Sequence, residues 1–388
     1  MKFRKVIFWI HLACGVAAGL VILMMSVTGV LLTYERQITS WFDEPDYASP
    51  APPATRLPVT LLLESAMEYA PDIKPAAVTL SSDPTAPVTV QLNRTRNLYL
   101  NPYTGEILNE GARGIRSFFQ AVTGWHRWFN LEGEARGTAR AVTGACNLIF
   151  LFLVMSGMYL WLPRKFNWPF IRGVLFFNPR ATTGRARDYN WHHVFGIWSS
   201  IPLLIVIATA VVFSYPWANN LVFRSVGEEP IRRGMHGPGP ERETRGRDAR
   251  NSNPTGNEET GTSLSLDELF QRAAVHLDNW KTITIQDPAG TVDNINFLID
   301  QGTGGQPQKR HQLTLGRGSG EVIKWEPFNS LSPGRRMRVL IRFLHTGEAL
   351  GIPGQTIAGL VSLTSLIMVW TGLALAWRRL IVPLLKKY

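Results

Sequence analysis

The sequence predicts a membrane protein, mainly α, with four transmembrane helices in two repeated pairs and a small α+β module outside the membrane in each half. Three observations carry this. First, runs 6–34, 141–163, 189–213 and 349–377 contain no Lys, Arg, Asp or Glu, and each reaches the roughly 20 residues needed to cross about 30 Å of hydrocarbon. Second, the basic residues are placed unevenly. Lys2, Arg4 and Lys5 precede the first run, Arg164, Lys165, Arg172, Arg180, Arg185 and Arg187 follow the second, and Arg378, Arg379, Lys386 and Lys387 follow the fourth, against a single acid, Asp188. The net charge of +11 therefore lies on one side, which the positive-inside rule makes the cytoplasm. Third, a local pattern recurs 181 residues on: His11 with Gly15 and Thr28, then His192 with Gly196 and Thr209.

Each segment follows from these. Residues 1–34 hold the first helix, whose apolar run is too long for a cleaved signal peptide and lacks a following Ala-x-Ala site. Residues 35–140 form the first external module: a helix-like stretch at 61–69, alternating strands at 88–92 and 98–100, and a turn through Asn101-Pro-Tyr-Thr-Gly105-Glu106. Residues 141–163 return through the membrane, 164–188 make a basic cytoplasmic loop, and 189–214 are the third helix. Residues 215–348 form the second module, helix-like at 266–277, with strands at 294–299 and 311–315 and a Gly320-Glu321 turn. Within it, 227–263 is rich in Pro, Gly, Arg and Glu without aromatics and reads as a mobile loop. Met235 and His236 there read as solvated residues rather than metal ligands. Residues 349–377 are the fourth helix and 378–388 a cytoplasmic tail. The basic loop reads as an anchor on lipid headgroups, with docking of an acidic electron donor as its functional alternative, and the pI of 9.9 is a topology signal rather than a nucleic-acid one.

A titratable side chain in a lipid-crossing helix is costly and marks function. Two histidines in matching helices point to one ligand gripped between them, and for a membrane protein that ligand reads as haem iron, which neutral imidazoles and apolar walls suit. Both His11 and His192 enter from the cytoplasmic side, so they form a level inner pair. His193, about 100° round the helix, is the alternative to His192. Gly15 and Gly196, one turn on, leave room for a flat macrocycle. A second pair, His126 and His345, lies just outside the returning helices and gives an outer site, with Arg127 and Arg342 placed to meet propionates. The small residues Ser26, Thr28, Gly29, Ser156, Gly157, Thr371 and Gly372 read as close helix packing. Cys14 and Cys146, the only cysteines, supply no disulfide framework, and without Cys-x-x-Cys-His any haem is non-covalent. The expected cofactors are two haem b. No Gly-x-Gly-x-x-Gly opens a βα unit, so any flavin or nicotinamide chemistry the reaction needs belongs to a partner.

These residues resemble the PepSY-associated transmembrane family over nearly the whole chain: the His-x-x-x-Gly helices, the Asn-Pro-Tyr-Thr-Gly-Glu turn, and the endings Ser156-Gly157 to Trp161 and Thr371-Gly372 to Trp377. Within it the chain is similar to bacterial inner-membrane ferrisiderophore reductases of the ferrioxamine type. The resemblance implies PepSY-like periplasmic modules, two b-type haems on His11, His192, His126 and His345, and electron delivery to a ferric siderophore. The donor would be a cytoplasmic reductant or a quinol. Ala210 departs from the pattern, standing where the first half has Gly29. Arg94, Arg96, Arg224, Arg232, Arg233 and Arg310 are cations that an anionic chelate would meet, though most read as solvated surface. Two other functions fit the same residues: a non-enzymatic PepSY-type scaffold, and a haem or chelate transporter.

Overall fold

The computed structural model describes residues 2–43, 55–163, 167–229, 264–290 and 292–385. The stretch predicted to be a mobile loop, with Met235, His236, Arg232 and Arg233, lies almost wholly outside the described residues, as do Arg164, Lys165, Lys386 and Lys387.

In chain order, α1 (Lys2–Leu32) and α2 (Glu35–Asp43) lead to α3 (Val59–Tyr69), then β1 (Ala77–Ser81), β2 (Val88–Gln91), β3 (Asn97–Leu100) and β4 (Ile107–Asn109). Next come α4 (Arg113–Trp128), α5 (Ala135–Trp161), α6 (Trp168–Leu175), α7 (Gly184–Ser214) and α8 (Pro216–Arg224). Then follow α9 (Leu266–His276), β5 (Thr282–Gln286), β6 (Asn294–Asp300), β7 (Arg310–Gly316), β8 (Val322–Pro327), α10 (Pro333–Thr346), α11 (Gly351–Leu380) and the short α12 (Val382–Leu385), with three single 3-10 turns between them.

Four spans, Phe3–Leu32, Ala135–Trp161, Gly184–Ser214 and Glu348–Leu385, are long and apolar enough to cross a membrane. All four begin before the uncharged cores read from sequence, because helical hydrogen bonding continues into charged flanks that face water; the first two end two residues short of those cores and the last two run beyond them. The helices close a ring, α1 against α5, α5 against α7, α7 against α11 and α11 against α1. Its outer surface is apolar: Leu20 is 73 % exposed, Ile201 67 % and Trp370 67 %. Such a surface needs a lipid rather than an aqueous solvent. Where helices cross, small residues let them approach. Ser26 Oγ meets Ser365 Oγ at 2.9 Å, and Cys146 packs with Ala18 and Ile22 rather than near Cys14, both thiols being free.

The strands form one antiparallel eight-stranded sheet in the order β4-β3-β2-β1-β5-β6-β7-β8. The two modules read as separate in sequence are thus joined through β1 and β5, paired from Ala77 with Gln286 to Ser81 with Thr282. Alternation explains the join. Val78 and Leu80 from β1, and Ile283 and Ile285 from β5, turn inward, while Thr79 and Thr284 turn outward and share a hydrogen bond of 2.8 Å. Both α3 and α9 cover the inward face, so Leu62, Ala66, Leu269, Ala273 and Phe297 belong to one core. The Asp267 carboxylate of α9 accepts from the backbone N–H of Val59 and from the Thr60 hydroxyl, capping α3 from the other half.

The sheet is tied to one end of the bundle, here the sheet end. The Asp43 carboxylate at the end of α2 pairs with Arg116 of α4 and accepts from the Ala112 backbone N–H at 2.7 Å. Arg36 of α2 donates to the Thr303 carbonyl in the β6–β7 connection. At the opposite, terminal end, buried Asp188 joins α7 to α11 through Arg378 at 2.5 Å.

Candidate functional site

The four histidines read as candidate ligands occupy two levels of the bundle. His11 sits in α1 and His192 in α7, both near the terminal end. His126 and His345 do not sit on the returning spans. They lie in the last turns of two additional amphipathic helices, α4 and α10, which pack along α1 and α5 and along α7 and α8 respectively. In α4 the residues Ile115, Phe119, Val122 and His126 recur at helical spacing, and Phe119 and Val122 are buried. That stripe turns His126 inward. Helix α4 then stops at Phe129 and Asn130, both at φ 54°.

Each ring docks on a different helix through the same atom. His11 Nδ1 lies 2.8 Å from Ser156 Oγ of α5. His126 Nδ1 lies 2.8 Å from Thr28 Oγ1 of α1. His192 Nδ1 lies 3.1 Å from Thr371 Oγ1 and 3.1 Å from the Met368 carbonyl, both of α11. His345 Nδ1 lies 3.0 Å from Thr209 Oγ1 and 3.0 Å from the Val206 carbonyl, both of α7. Small residues follow the hydroxyls. A Cβ placed on Gly157 would lie 3.5 Å from His11 Cε1, on Gly372 3.2 Å from His192 Cε1, and on Gly29 3.8 Å from His126 Cε1. The Ser/Thr-Gly pairs first read as packing are therefore docks for imidazoles. Ser26, read the same way, does pack, against Ser365.

The spacing of seventeen residues between His11 and Thr28, repeated from His192 to Thr209, now has a meaning. One helix carries a histidine of one level and the dock of the other, about 25 Å apart at 1.5 Å per residue.

At the sheet end the His126 and His345 ring centres are 6.4 Å apart, with ring planes at 60°. Two imidazoles holding one metal through facing nitrogens, each about 2 Å from it, place their ring centres about 6 Å apart. Burial, followed by the nearby His345, pushes the His126 pKa down to about 4, and burial lowers His345 as well. Both shifts favour the neutral imidazole, the form that ligates a metal. At the other level, His11 of α1 and His192 of α7 are each docked on a neighbouring span, α5 and α11. His193 differs: its Nδ1 donates to the Tyr189 carbonyl of its own helix at 2.9 Å, and its ring lies over Tyr189 at 4.1 Å. Gly15 and Gly196 leave open or ordinary space, with Leu153 Cδ2 4.0 Å and Met368 Cε 3.6 Å from a built Cβ. Apolar walls, facing neutral imidazoles and glycine faces fit a flat, non-covalent metallo-macrocycle.

A cationic rim surrounds the sheet-end pair. Arg127 stacks on Trp128 at 4.9 Å with Arg136 on the same ring at 4.0 Å, and Arg342 lies 5.8 Å from the Phe343 ring centre. Desolvation and then Arg140, Arg136 and Arg342 lower the Arg127 pKa, and none of these four is ion-paired to a carboxylate among the described residues. Of the other cations read as chelate contacts, Arg96 is held by Glu110 and Arg310 by Asp300.

The family described as the PepSY-associated TM region matches residues 8–379. The chain belongs to that family. No curated protein matches the sequence. The PepSY-associated match covers all four histidines, their docks and most of each of the four apolar helices, so the chain is a multi-pass membrane protein of this family.

Proposed function

We propose that this protein is a transmembrane oxidoreductase that passes electrons through the membrane to a ferric siderophore, releasing Fe(II). The observation that carries the reading is the sheet-end pair: two neutral imidazoles 6.4 Å apart, each tied back by its Nδ1. Two non-covalent haem b are the groups that fit, one on His126 and His345, the other on His11 and His192. When bound, haem supplies a reversible one-electron couple at each level. The chain supplies the rest. Imidazoles from opposite halves fix the position of each centre, and apolar helix faces exclude water. Arg127 and Arg342 beside the sheet-end pair neutralise carboxylates through charge-assisted hydrogen bonds.

The one-sided basic residues support a cytoplasmic terminal end and a periplasmic sheet with its two PepSY-like halves, in a bacterial inner membrane. Electrons enter from a cytoplasmic reductant or a quinol and leave at the sheet end. Resemblance to ferrisiderophore reductases supports a ferric siderophore as acceptor; Fe(II) binds hard oxygen donors more weakly, so reduction frees the metal.

The test is direct. Purified protein should show two haem b per chain by pyridine haemochrome, and the dithionite-reduced form should reoxidise on adding ferric siderophore while ferrozine traps Fe(II). A colourless protein would sink the reading. Reoxidation by quinones or sulfur compounds but by no ferric chelate would remove iron as the acceptor and leave the conduit.

A further inference from the structure

We infer that Ser156, Thr28, Thr371 and Thr209 are positioning residues that fix the tautomer of the four histidines and aim Nε2 at the metal. This rests on the two-haem reading. Helix carbonyls decide the direction of each hydrogen bond. Ser156 Oγ lies 2.7 Å from the Phe152 carbonyl, Thr28 Oγ1 2.8 Å from Met24, Thr371 Oγ1 2.8 Å from Ile367, and Thr209 Oγ1 2.7 Å from Val206. A carbonyl only accepts, so each hydroxyl proton is committed to its own helix and the hydroxyl oxygen is left to accept. The partner Nδ1 must then carry the hydrogen. At His192 and His345 the carbonyls of Met368 and Val206 require the same tautomer independently. Nδ1–H leaves the Nε2 lone pair for a metal, and a fixed second partner of this kind orients a ligating imidazole and raises its basicity.

Generic packing does not account for the pattern. All four contacts use Nδ1, all four hydroxyls come from a helix other than the histidine's own, and a small residue follows each: Gly157, Gly29, Gly372 and Ala210. The Ser26–Ser365 hydroxyl pair lies in the same bundle and touches no histidine, so it is a built-in control.

The experiment uses the full-length, haem-loaded protein in detergent. Variants Ser156→Ala, Thr28→Val, Thr371→Val and Thr209→Val remove one hydroxyl each. Thr28→Ser and Thr209→Ser keep the hydroxyl and lose a methyl, separating the hydrogen bond from packing, and Ser26→Ala is the control. Readouts are the rate of haem transfer to excess apomyoglobin and the EPR g-values of the low-spin ferric centres. Ser156→Ala should speed loss of one haem on the order of 10–100-fold, the usual effect of removing such a partner. Thr209→Val should be milder, because the Val206 carbonyl still holds His345. The Ser variants and Ser26→Ala should match wild type. Haem-replete variants with unchanged loss rates and g-values, or a Ser26→Ala effect as large as the others, overturn this inference alone. Wild-type protein without haem overturns the proposed function with it.

Discussion

Gly372→Ala places a methyl 3.2 Å from His192 Cε1 and 3.6 Å from its Nδ1. Carbon pairs are most stable at about 3.5–4.0 Å, so the ring must retreat by a few tenths of an ångström. It has little freedom to do so: Nδ1 already sits 3.1 Å from both Met368 O and Thr371 Oγ1. A shift of ~0.4 Å stretches those bonds to about the limit of useful hydrogen bonding. Overpacking of about 1–3 kcal/mol then outweighs the ~1 kcal/mol that alanine gains over glycine in a helix. The net is a loss of about 1 kcal/mol. Gly157→Ala is the matched comparison. Its methyl would meet His11 Cε1 at 3.5 Å, an ordinary contact, so the helix term should dominate and leave this variant equal to or more stable than wild type. Thermal unfolding in one detergent, followed by tryptophan fluorescence, should rank Gly157→Ala at or above wild type and Gly372→Ala below it. Equal destabilisation of the two, or a stabilised Gly372→Ala, would refute the account of glycine as the floor of the histidine dock.

Three further outcomes follow from the same geometry. His126→Ala or His345→Ala should lower haem from two to one per chain by pyridine haemochrome while keeping the bands of the His11–His192 site. Ile285→Ala removes a fully buried side chain beside the strand joint, costing about 2–5 kcal/mol; hydrogen exchange should then rise together in β2 and β6, the two halves sharing one core. Asp43→Asn strips the partner of Arg116, whose pair is largely buried; breaking such a pair costs about 3–5 kcal/mol, and exchange should rise first in α2 and the start of α4.

The spans were legible because lipid imposes one long, uncharged signature, and the strands at 88–92, 98–100, 294–299 and 311–315 because their alternation is clean. What escaped reading lies where the local signal is short or amphipathic. β1 and β5 are five residues each, and their identity as the joint depends on partners about two hundred residues away. The α4 stripe of Ile115, Phe119, Val122 and His126 was present in sequence, but the Arg and Gly residues around it dilute its apolar signal. Among site residues, histidine is conspicuous in an apolar run. A threonine or serine there is ambiguous, since Ser26 and Ser156 share a context yet only Ser156 meets an imidazole. Only the fold separates them.

The chain's order of synthesis acquires a constraint from the way the pairs are drawn. The sheet-end pair takes His126 from the first half and His345 from the second, and the proposed terminal-end pair takes His11 and His192 in the same way. A ribosome that has released only the first two spans has therefore presented single imidazoles to the membrane and nothing able to grip a ligand from both sides. On the two-haem reading, the terminal-end pair is complete only once α7 is in place, and the sheet-end pair only once α10 is. On that reading, a product cut short before α10 would lack the second imidazole of the sheet-end pair, so its outer centre could be held from one side only.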